Sequence, residues 1–452
     1  MVRSRPPQAK SQTPARRGPG AIFGLRLAVA LGVSSGLAHQ AHADLPGIRL
    51  GRRAVIHASL ATELRYDSNM FFSNRRLGQG LPVSAGVLRV VPSLSLSTLS
   101  ARRGEQQRVS FRLHGTFDYR EFLSADPNVT VHRSFGGEVG GQLSLFQQTS
   151  FSLDIYDNFL RTNQVPYSAL PYNFARNTNV FGMRVRYAPL GPRLLLSMVQ
   201  EIGFDGFDDV SDGPKLSDFN VLYSTTNLRA SWKFLPKTAL FAEVTQGVSH
   251  YLKDTARAQH RSDSYPLRAG LGILGLLTPR LALNLFGGYG YGFYLDGPSP
   301  SNAVVQAEAR FRPTFFSTAT LSYRHDFNNA LIGSYQDVDS AAVSYTHSIY
   351  RATLITRLSW DRLAYQGSAE TFQAAGVCKE GETMPCIAQT DRVDQVITLD
   401  ARAEYPLRDF LTVGVGYGFL TNQSNGYTRV QMAITPVTFY KHEAWLRLTV
   451  RY

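Results

Sequence analysis

Apolar and polar residues alternate one by one along much of this chain. Between Arg108 and Arg120 the even-numbered positions are polar, and the odd-numbered ones are Val109, Phe111, Leu113, Gly115, Phe117 and Tyr119. Successive side chains of a β-strand point to opposite faces, so this segment predicts a strand with one apolar and one polar face. A helix would mix the two sets on every face.

The alternation recurs in about 18 segments between Val55 and Tyr452. Clear examples cover residues 228–234, 281–295, 319–327, 352–361, 397–405 and 445–452. The connections between segments alternate in length. The short turns are residues 147–149, 189–192, 236–237, 278–279 and 406–409, and the long polar loops are residues 67–85, 124–130, 161–175, 205–218, 253–263 and 367–391. This regular change in connection length is typical of barrels that cross an outer membrane.

The predicted fold is all-β: a transmembrane antiparallel up-and-down β-barrel of about 18 strands (16–20) over residues 44–452, with short periplasmic turns and long extracellular loops. A soluble sandwich, propeller or solenoid would also alternate. The barrel is favoured because the polar faces combine Arg with Asp and Glu, and because aromatic residues gather near segment ends: Tyr66, Phe71, Phe72, Phe117, Tyr119, Tyr289, Tyr291 and Phe293. We interpret residues 421–439 as a partly β-structured outer loop, which keeps the strand number even.

The first 43 residues have the layout of a cleaved signal peptide. Basic residues without any acid precede an apolar stretch, which ends at Ala41-His42-Ala43, a small-residue cleavage motif. This leader holds six of the 47 basic residues and none of the 34 acidic ones, so the net charge falls from +13 to +7 after cleavage. The predicted location is the outer membrane, and the remaining charge does not favour a nucleic-acid partner.

Cys378 and Cys386, the two cysteines, lie eight positions apart in a polar stretch. An oxidising compartment makes a local disulfide between them the expected state. A zinc site would need more ligands than this pair offers.

The opening of the predicted barrel carries a family resemblance. The predicted first strand ends at Tyr66, and Asp67-Ser68-Asn69-Met70-Phe71-Phe72 follows it. A long loop then leads to Arg89-Val90-Val91-Pro92-Ser93-Leu94. This hairpin resembles a family of β-barrel porins of Gram-negative outer membranes, whose members are often associated with exopolysaccharide or capsule export. The same residues also suit a turn, since Asp67 and Asn69 are turn formers and the two phenylalanines could anchor the strand exit in the membrane interface.

The polar faces predict a charged lumen. Twelve arginines are the candidate lumen residues: Arg108, Arg112, Arg120, Arg184, Arg186, Arg310, Arg312, Arg351, Arg357, Arg402, Arg447 and Arg451. Arg65, Arg229, Lys233 and Arg324 join them by alternation. The acidic residues on the same faces are Glu63, Asp118, Glu138, Asp154, Glu201, Glu243, Glu308, Asp326, Asp361, Asp400 and Glu404. Sixteen basic against eleven acidic residues allow either a lumen closed by ion pairs or a conduit that prefers anions.

No catalytic, cofactor or metal site is predicted. His114 and Asp118 share a face but lie about 13 Å apart along a strand. The glycines between Gly287 and Gly290 lie within a strand pattern, so they do not form a phosphate loop. The acidic loop 205–218 does not have EF-hand spacing, although a divalent bridge to lipopolysaccharide stays an alternative.

The leading functional hypothesis is therefore a conduit without enzymatic activity, for polysaccharide export or for diffusion of polar and anionic solutes. Its expected partners are outer-membrane lipid and lipopolysaccharide, the transported polysaccharide or solutes, and polysaccharide-export machinery. The alternatives are a docking barrel with a filled lumen and a membrane-embedded lipid-modifying enzyme.

Overall fold

A computed structural model of the chain describes residues 47–51, 53–72, 82–98, 108–130, 133–162, 175–209, 216–253, 263–330, 334–366, 392–430 and 433–452. The predicted leader with Ala41 and Ala43 and the predicted disulfide between Cys378 and Cys386 lie outside these residues.

Strands dominate the described residues. They are β1 (Ile48–Leu50), β2 (Ala54–Asp67), β3 (Ala85–Thr98), β4 (Val109–Leu123), β5 (Ser134–Leu145), β6 (Phe151–Thr162), β7 (Arg176–Tyr187), β8 (Leu194–Phe207), β9 (Val221–Leu235), β10 (Thr238–Tyr251), β11 (Leu267–Thr278), β12 (Leu281–Tyr291), β13 (Ser301–Phe311), β14 (Ser317–Asn329), β15 (Tyr335–Ile349), β16 (Ala352–Gln366), β17 (Val393–Arg408), β18 (Leu411–Ser424), β19 (Tyr427–Val430), β20 (Ala433–Pro436) and β21 (Phe439–Arg451). Helical turns are short: α1 (Pro127–Thr130) and 3-10 turns at Gly191–Arg193 and Leu216–Phe219. No helix in this part of the chain is long and apolar enough to cross a membrane.

The wall closes on itself. Strands β2 to β18 pair in sequence, each antiparallel to the next, β18 pairs with β21, and β21 pairs with β2. At this closure Glu63 lies opposite Arg447, and Ser59 lies opposite Arg451. Eighteen strands, β2–β18 and β21, therefore form a closed antiparallel barrel, which confirms the predicted fold class.

The remaining strands lie outside this cycle. β1 pairs with the first residues of β2, beside the segment of β2 that β21 covers. β19 and β20 pair only with each other, in the connection from β18 to β21. The predicted outer loop 421–439 thus contains a hairpin, but β18 continues to Ser424 and β21 already begins at Phe439.

Connections at one end of the barrel are short. Two residues join β9 to β10, β15 to β16 and β17 to β18: Pro236-Lys237, Tyr350-Arg351 and Asp409-Phe410. The last turn lies later than predicted, because β17 continues through Pro406 to Arg408 with a shift in register. The chain enters β2 and leaves β21 at this same end, which we call the periplasmic end.

The outer surface is apolar. Along β2, Leu64 is 53% exposed, whereas the neighbouring Glu63 is 1% exposed. Leu271 on β11, Leu321 on β14 and Leu446 on β21 are exposed in the same way. A soluble protein buries such side chains, so this continuous surface, here called the apolar belt, is suited to lipid.

Aromatic side chains border the belt at both ends. Exposed rings near the long loops include Tyr66, Phe117, Phe135, Tyr289, Tyr291 and Phe293, and those near the periplasmic turns include Phe146, Phe151, Trp232, Phe311, Phe315, Tyr350 and Phe410. Two such girdles mark the two membrane interfaces of outer-membrane barrels. The protein is an outer-membrane β-barrel.

Candidate functional site: the barrel interior

The polar face of the strands is the interior face. Arg268 on β11 donates to the Asp326 carboxylate on β14 at 2.7 Å, although β12 and β13 lie between these strands. Side chains can bridge two intervening strands only on the concave side of a curved sheet. The charged residues that alternate with the apolar belt therefore line the lumen.

A charged network crosses the closure of the barrel. The Glu63 carboxylate accepts from Arg65, with 2.7 Å between the charged atoms, and from Arg447 Nε at 2.8 Å; Arg89 lies 3.9 Å away. Arg89 also donates to Asp118 at 2.7 Å. One almost fully buried carboxylate thus joins cations from β2, β3 and β21, and removing it would leave like charges facing one another.

The network continues toward the outer end. Glu443 lies 2.7 Å from Arg65 and 3.2 Å from Lys441, and the Lys441 ammonium lies 2.6 Å from Asp67. Asp67 also accepts from the Asn69 backbone amide at 2.9 Å. The first and last strands of the barrel are therefore joined by ion pairs as well as by backbone hydrogen bonds.

The predicted lumen arginines fall into two sets. Nine lie on the interior face within strands: Arg112 and Arg120 on β4, Arg184 and Arg186 on β7, Arg310 on β13, Arg357 on β16, Arg402 on β17, and Arg447 and Arg451 on β21. The other three lie at the periplasmic rim, where alternation ends: Arg108 before β4, Arg312 after β13 and Arg351 in the turn before β16.

Only some interior charges are neutralised by a neighbour. Arg120, Arg186 and Arg310 pair with Asp118, Asp154 and Glu308 at 3.1, 2.7 and 3.1 Å. Among the described residues, the interior cations without an ion pair are Arg112, Arg184, Lys233, Arg324, Arg357, Arg402 and Arg451, and the interior carboxylates without one are Glu201, Asp361, Asp400 and Glu404. The unpaired interior charge is therefore moderately positive.

Sequence reasoning missed several interior cations. Arg89, Arg176, Arg268 and Lys441 all lie in strands and bind carboxylates: Asp118, Asp205, Asp326 and Asp67. Alternation with apolar neighbours could have identified Arg89, which lies between Leu88 and Val90. Since each of these cations has a carboxylate partner, they add little to the unpaired charge.

Large interior rings lie flat against the wall. A Cβ on Gly416 would come within 2.2 Å of the Trp445 ring, and one on Gly272 within 2.1 Å of the Phe241 ring. Because glycine has no side chain, each ring occupies the space over the neighbouring strand. The rings therefore extend along the wall rather than across the lumen.

Apolar side chains also cluster on one side of the interior at its outer end, from β14 to β18 and β21. Phe72, which follows β2, packs edge-on against Phe439 with ring centroids 4.9 Å apart. We call this group the outer apolar cluster; its buried members are Phe72, Ala330, Val338, Leu363, Tyr365, Val396, Leu420 and Phe439. Phe71 packs against a second group with Met70 and Val129. The expectation that Phe71 and Phe72 anchor the membrane interface is thus wrong for Phe72, which is buried inside the outer end.

A buried ion pair adjoins this cluster. Arg392, just before β17, donates to Asp394 at 2.6 Å, and its guanidinium lies 4.9 Å from the Tyr365 ring centroid. Burial alone would lower the pKa of the Arg392 guanidinium, but the hydrogen bond and charge of Asp394 raise it, and the net pKa shift is upward. The Arg392 guanidinium therefore stays charged, and its hydrogen bond to Asp394 holds the start of β17 against the cluster.

The histidine and acids considered for chemistry have structural neighbours. His114 lies 3.3 Å from Glu138 on β5 rather than near Asp118, which binds Arg89 and Arg120. Within the described ranges, no group of three or more His, Cys, Asp or Glu residues could hold a metal ion.

Known proteins match this chain in structure and not in sequence. No protein-family model and no curated protein matches the chain. Among solved structures, the chain is similar to the vanillate complex of OpdK from Pseudomonas aeruginosa, with 12% identity and a TM-score of 0.44 over 88% of this chain and 99% of that one. OccAB4 of Acinetobacter baumannii shows 12% identity and a TM-score of 0.45 over 88% and 98% of the two chains. OpdO of Pseudomonas aeruginosa shows 14% identity and a TM-score of 0.43 over 88% and 97%.

Proposed function

We propose that this protein is a passive outer-membrane channel for small polar solutes, with a modest preference for anions. The observation that carries the proposal is the closed wall of eighteen strands with a polar interior face. At a spacing of about 4.8 Å and a tilt of about 40°, these strands enclose a backbone circle roughly 35 Å across. Barrels of this size leave an aqueous channel, whereas side chains fill barrels of about eight strands.

The preference for anions rests on the interior charges that form no ion pair with a described residue. Six arginines and Lys233 are in this group, against four carboxylates. Fixed charge in a narrow aqueous passage raises the local concentration of ions of the opposite sign. The excess is small, so we expect a moderate selectivity rather than exclusion of cations.

A more specific hypothesis is that the channel exports a polysaccharide. It is supported by the family resemblance of the opening hairpin, from Tyr66 to Leu94. Swelling of proteoliposomes in sugars of increasing length tests it. A polysaccharide conduit would admit long oligosaccharides, whereas a small-solute channel would admit only mono- and disaccharides.

A docking barrel is the second candidate, and the outer apolar cluster favours it. Phe72 and its neighbours narrow the outer end, which would suit a barrel that is closed there and binds partners through its loops. This candidate requires that the folded protein conduct poorly.

Planar bilayers distinguish the two candidates. We expect the refolded protein to produce stepwise conductance, with a reversal potential in a salt gradient that indicates a preference for anions. The same preparation denatured by heat before addition is the control. A bilayer that stays sealed with protein that migrates as a folded barrel in electrophoresis would contradict the channel and favour the docking barrel.

A further inference from the structure

Exposed cations surround the periplasmic end of the barrel. Apart from the turn between β5 and β6, every hairpin turn described at this end has one in the turn or next to it, and so do the segments that lead into β2 and β4. The connections that carry these cations follow one another around the whole circumference. We call the nine residues the basic rim: Arg49, Arg53, Arg108, Arg193, Lys237, Arg280, Arg312, Arg351 and Arg408.

Little negative charge offsets the basic rim. Among the described residues of these connections and the strand ends beside them, Asp409 is the one acidic side chain, and it lies 3.6 Å from Arg351. The other eight cations form no ion pair with a described residue. On the outer half of the wall, by contrast, four surface cations each lie within 3.2 Å of a carboxylate, in the pairs Arg133–Glu121, Arg161–Asp208, Lys253–Asp218 and Arg362–Asp339. Unneutralised positive charge on the surface is therefore concentrated at the periplasmic end.

The cations of the basic rim stand beside side chains that are suited to lipid. Arg312 follows Phe311, and Phe315 in the same turn is fully exposed. Arg351 follows Tyr350, whose ring is also fully exposed. Further exposed apolar neighbours of the rim are Ile48, Leu50, Val109, Leu190, Leu235, Leu277, Leu407 and Phe410. Such side chains enter the boundary of the hydrocarbon, and Arg and Lys extend from this boundary to the headgroups, so the rim lies at the headgroup level of the periplasmic leaflet.

We propose that the basic rim binds the headgroups of anionic phospholipids in the periplasmic leaflet. A guanidinium donates two parallel hydrogen bonds to a phosphate group, and the negative potential of an anionic lipid surface attracts each nearby Arg or Lys. A zwitterionic lipid carries an ammonium group beside its phosphate, which offsets this attraction. The rim therefore selects lipids by the net charge of the headgroup.

The position of the aromatic side chains favours lipid over an acidic periplasmic protein. Such a protein would also be attracted by the cations. It would approach from the aqueous side, however, and the fully exposed rings of Phe315 and Tyr350 would then be in contact with water unless they lay in lipid. Anionic phospholipid covers both parts of the surface, because its acyl chains contact the rings and its phosphate contacts the cations. Bound headgroups neutralise the rim and fix the depth of the barrel in the membrane.

Fluorescence of Trp232 measures which lipids lie beside the rim. Trp232 is an exposed, outward-facing residue of β9, five positions before Lys237. In the full chain with Trp360→Phe and Trp445→Phe it is the remaining tryptophan, since the sequence has three. In mixed vesicles we expect quenching by dibrominated phosphatidylglycerol and dibrominated phosphatidylcholine to indicate a roughly fivefold enrichment of the anionic lipid near Trp232, the ratio for one cation at the lipid surface. Equal quenching by the two lipids would overturn the proposal and favour an acidic protein partner.

Neutralising the cations near Trp232 should remove the enrichment. Arg193→Gln, Lys237→Gln and Arg280→Gln change the turns that flank β9 and β10, and we expect this triple variant to give equal quenching by the two lipids. The matched control removes the same charge from the outer half of the wall, and its enrichment should equal that of the unchanged background: Arg133→Gln, Arg161→Gln and Lys253→Gln. Equal loss in both triple variants would assign the preference to the net charge of the protein and not to the basic rim.

A second measurement needs no tryptophan replacement. The wild-type barrel in mild detergent is heated with added phosphatidylglycerol or phosphatidylcholine, and its unfolding is followed by electrophoretic mobility. We expect the anionic lipid alone to raise the unfolding temperature, because it binds the folded rim, and the rise to be smaller in the rim triple variant. An equal rise with both lipids, or none with either, refutes the lipid site and does not bear on the proposed channel, which conductance measures independently.

Discussion

Glu63 illustrates how single residues hold the closure of this barrel. Its carboxylate lies within 3.9 Å of three guanidinium groups, those of Arg65, Arg89 and Arg447, and is almost fully buried. Backbone pairing between β2 and β21 joins the first and last strands of the barrel, but it does not neutralise these cations. The carboxylate therefore stabilises the junction by compensating charge that would otherwise repel.

Replacing Glu63 should destabilise the barrel. We expect Glu63→Gln to lower the free energy of unfolding in detergent or vesicles by about 3 kcal/mol. The neutral amide leaves Arg447 without an ion pair among the described residues, and it removes one of two carboxylate partners from Arg65 and from Arg89. Urea titration followed by tryptophan fluorescence measures the change.

Glu404→Gln is the matched control for this prediction. Glu404 lies on the interior face of β17 and forms no ion pair with another described residue, so its neutralisation should cost less than about 1 kcal/mol. If both variants lost the same free energy of unfolding, the loss would come from interior charge in general and not from the closure network.

At the scale of elements, the connection after β2 (residues 68–72) stays hydrogen-bonded to β21 and then turns toward the interior of the barrel. The Ser68 amide donates to the His442 carbonyl at 3.0 Å, and the Asn69 side chain donates to the Tyr440 carbonyl at 2.9 Å. Phe72 adopts a φ of 52°, which is unusual for a residue with a Cβ. Packing on Phe439 and a cation–π contact with Lys441 at 4.8 Å hold it in this conformation. The result is an apolar narrowing of the outer end.

Shortening this side chain should widen the passage. We expect Phe72→Ala to raise single-channel conductance, because the ring is the part of this connection that packs into the outer apolar cluster. Tyr66→Ala, which removes an outward-facing ring near the end of β2, should leave conductance unchanged. An unaltered conductance in Phe72→Ala would mean that the narrowest point of the lumen lies elsewhere.

At the scale of the whole molecule, the balance of interior charge determines which ions pass. Most interior carboxylates are held by arginines, so the unpaired arginines contribute most of the net field. These arginines lie on β4, β7, β14, β16, β17 and β21, and the unpaired Lys233 lies on β9. Selectivity is therefore a property of the closed wall rather than of one site.

Neutralising several of these arginines should reduce the preference for anions. We expect the triple variant Arg112→Gln, Arg357→Gln and Arg402→Gln to move the reversal potential in a salt gradient toward that of a cation-preferring channel. The corresponding lysine triple variant keeps the charge and changes the shape, so its reversal potential should match the wild type. Equal shifts in both would assign selectivity to geometry instead of charge.

Alternation predicted the strands, their two faces and the membrane environment from the sequence alone, because the pattern is local and does not depend on which strands pair. It also identified Glu63 and most of the interior arginines. It did not identify their partners: Arg65 and Glu443 are 378 positions apart, and only closure of the barrel brings them within 2.7 Å.

The inward position of Phe72 likewise depends on the tertiary structure. The ring packs on Phe439 only because β21 lies beside the end of β2, and a shift of one residue in the register between strands would turn every side chain to the opposite face. Local periodicity specifies which residues share a face of the sheet. Which of these residues contact one another is specified only by the closed barrel.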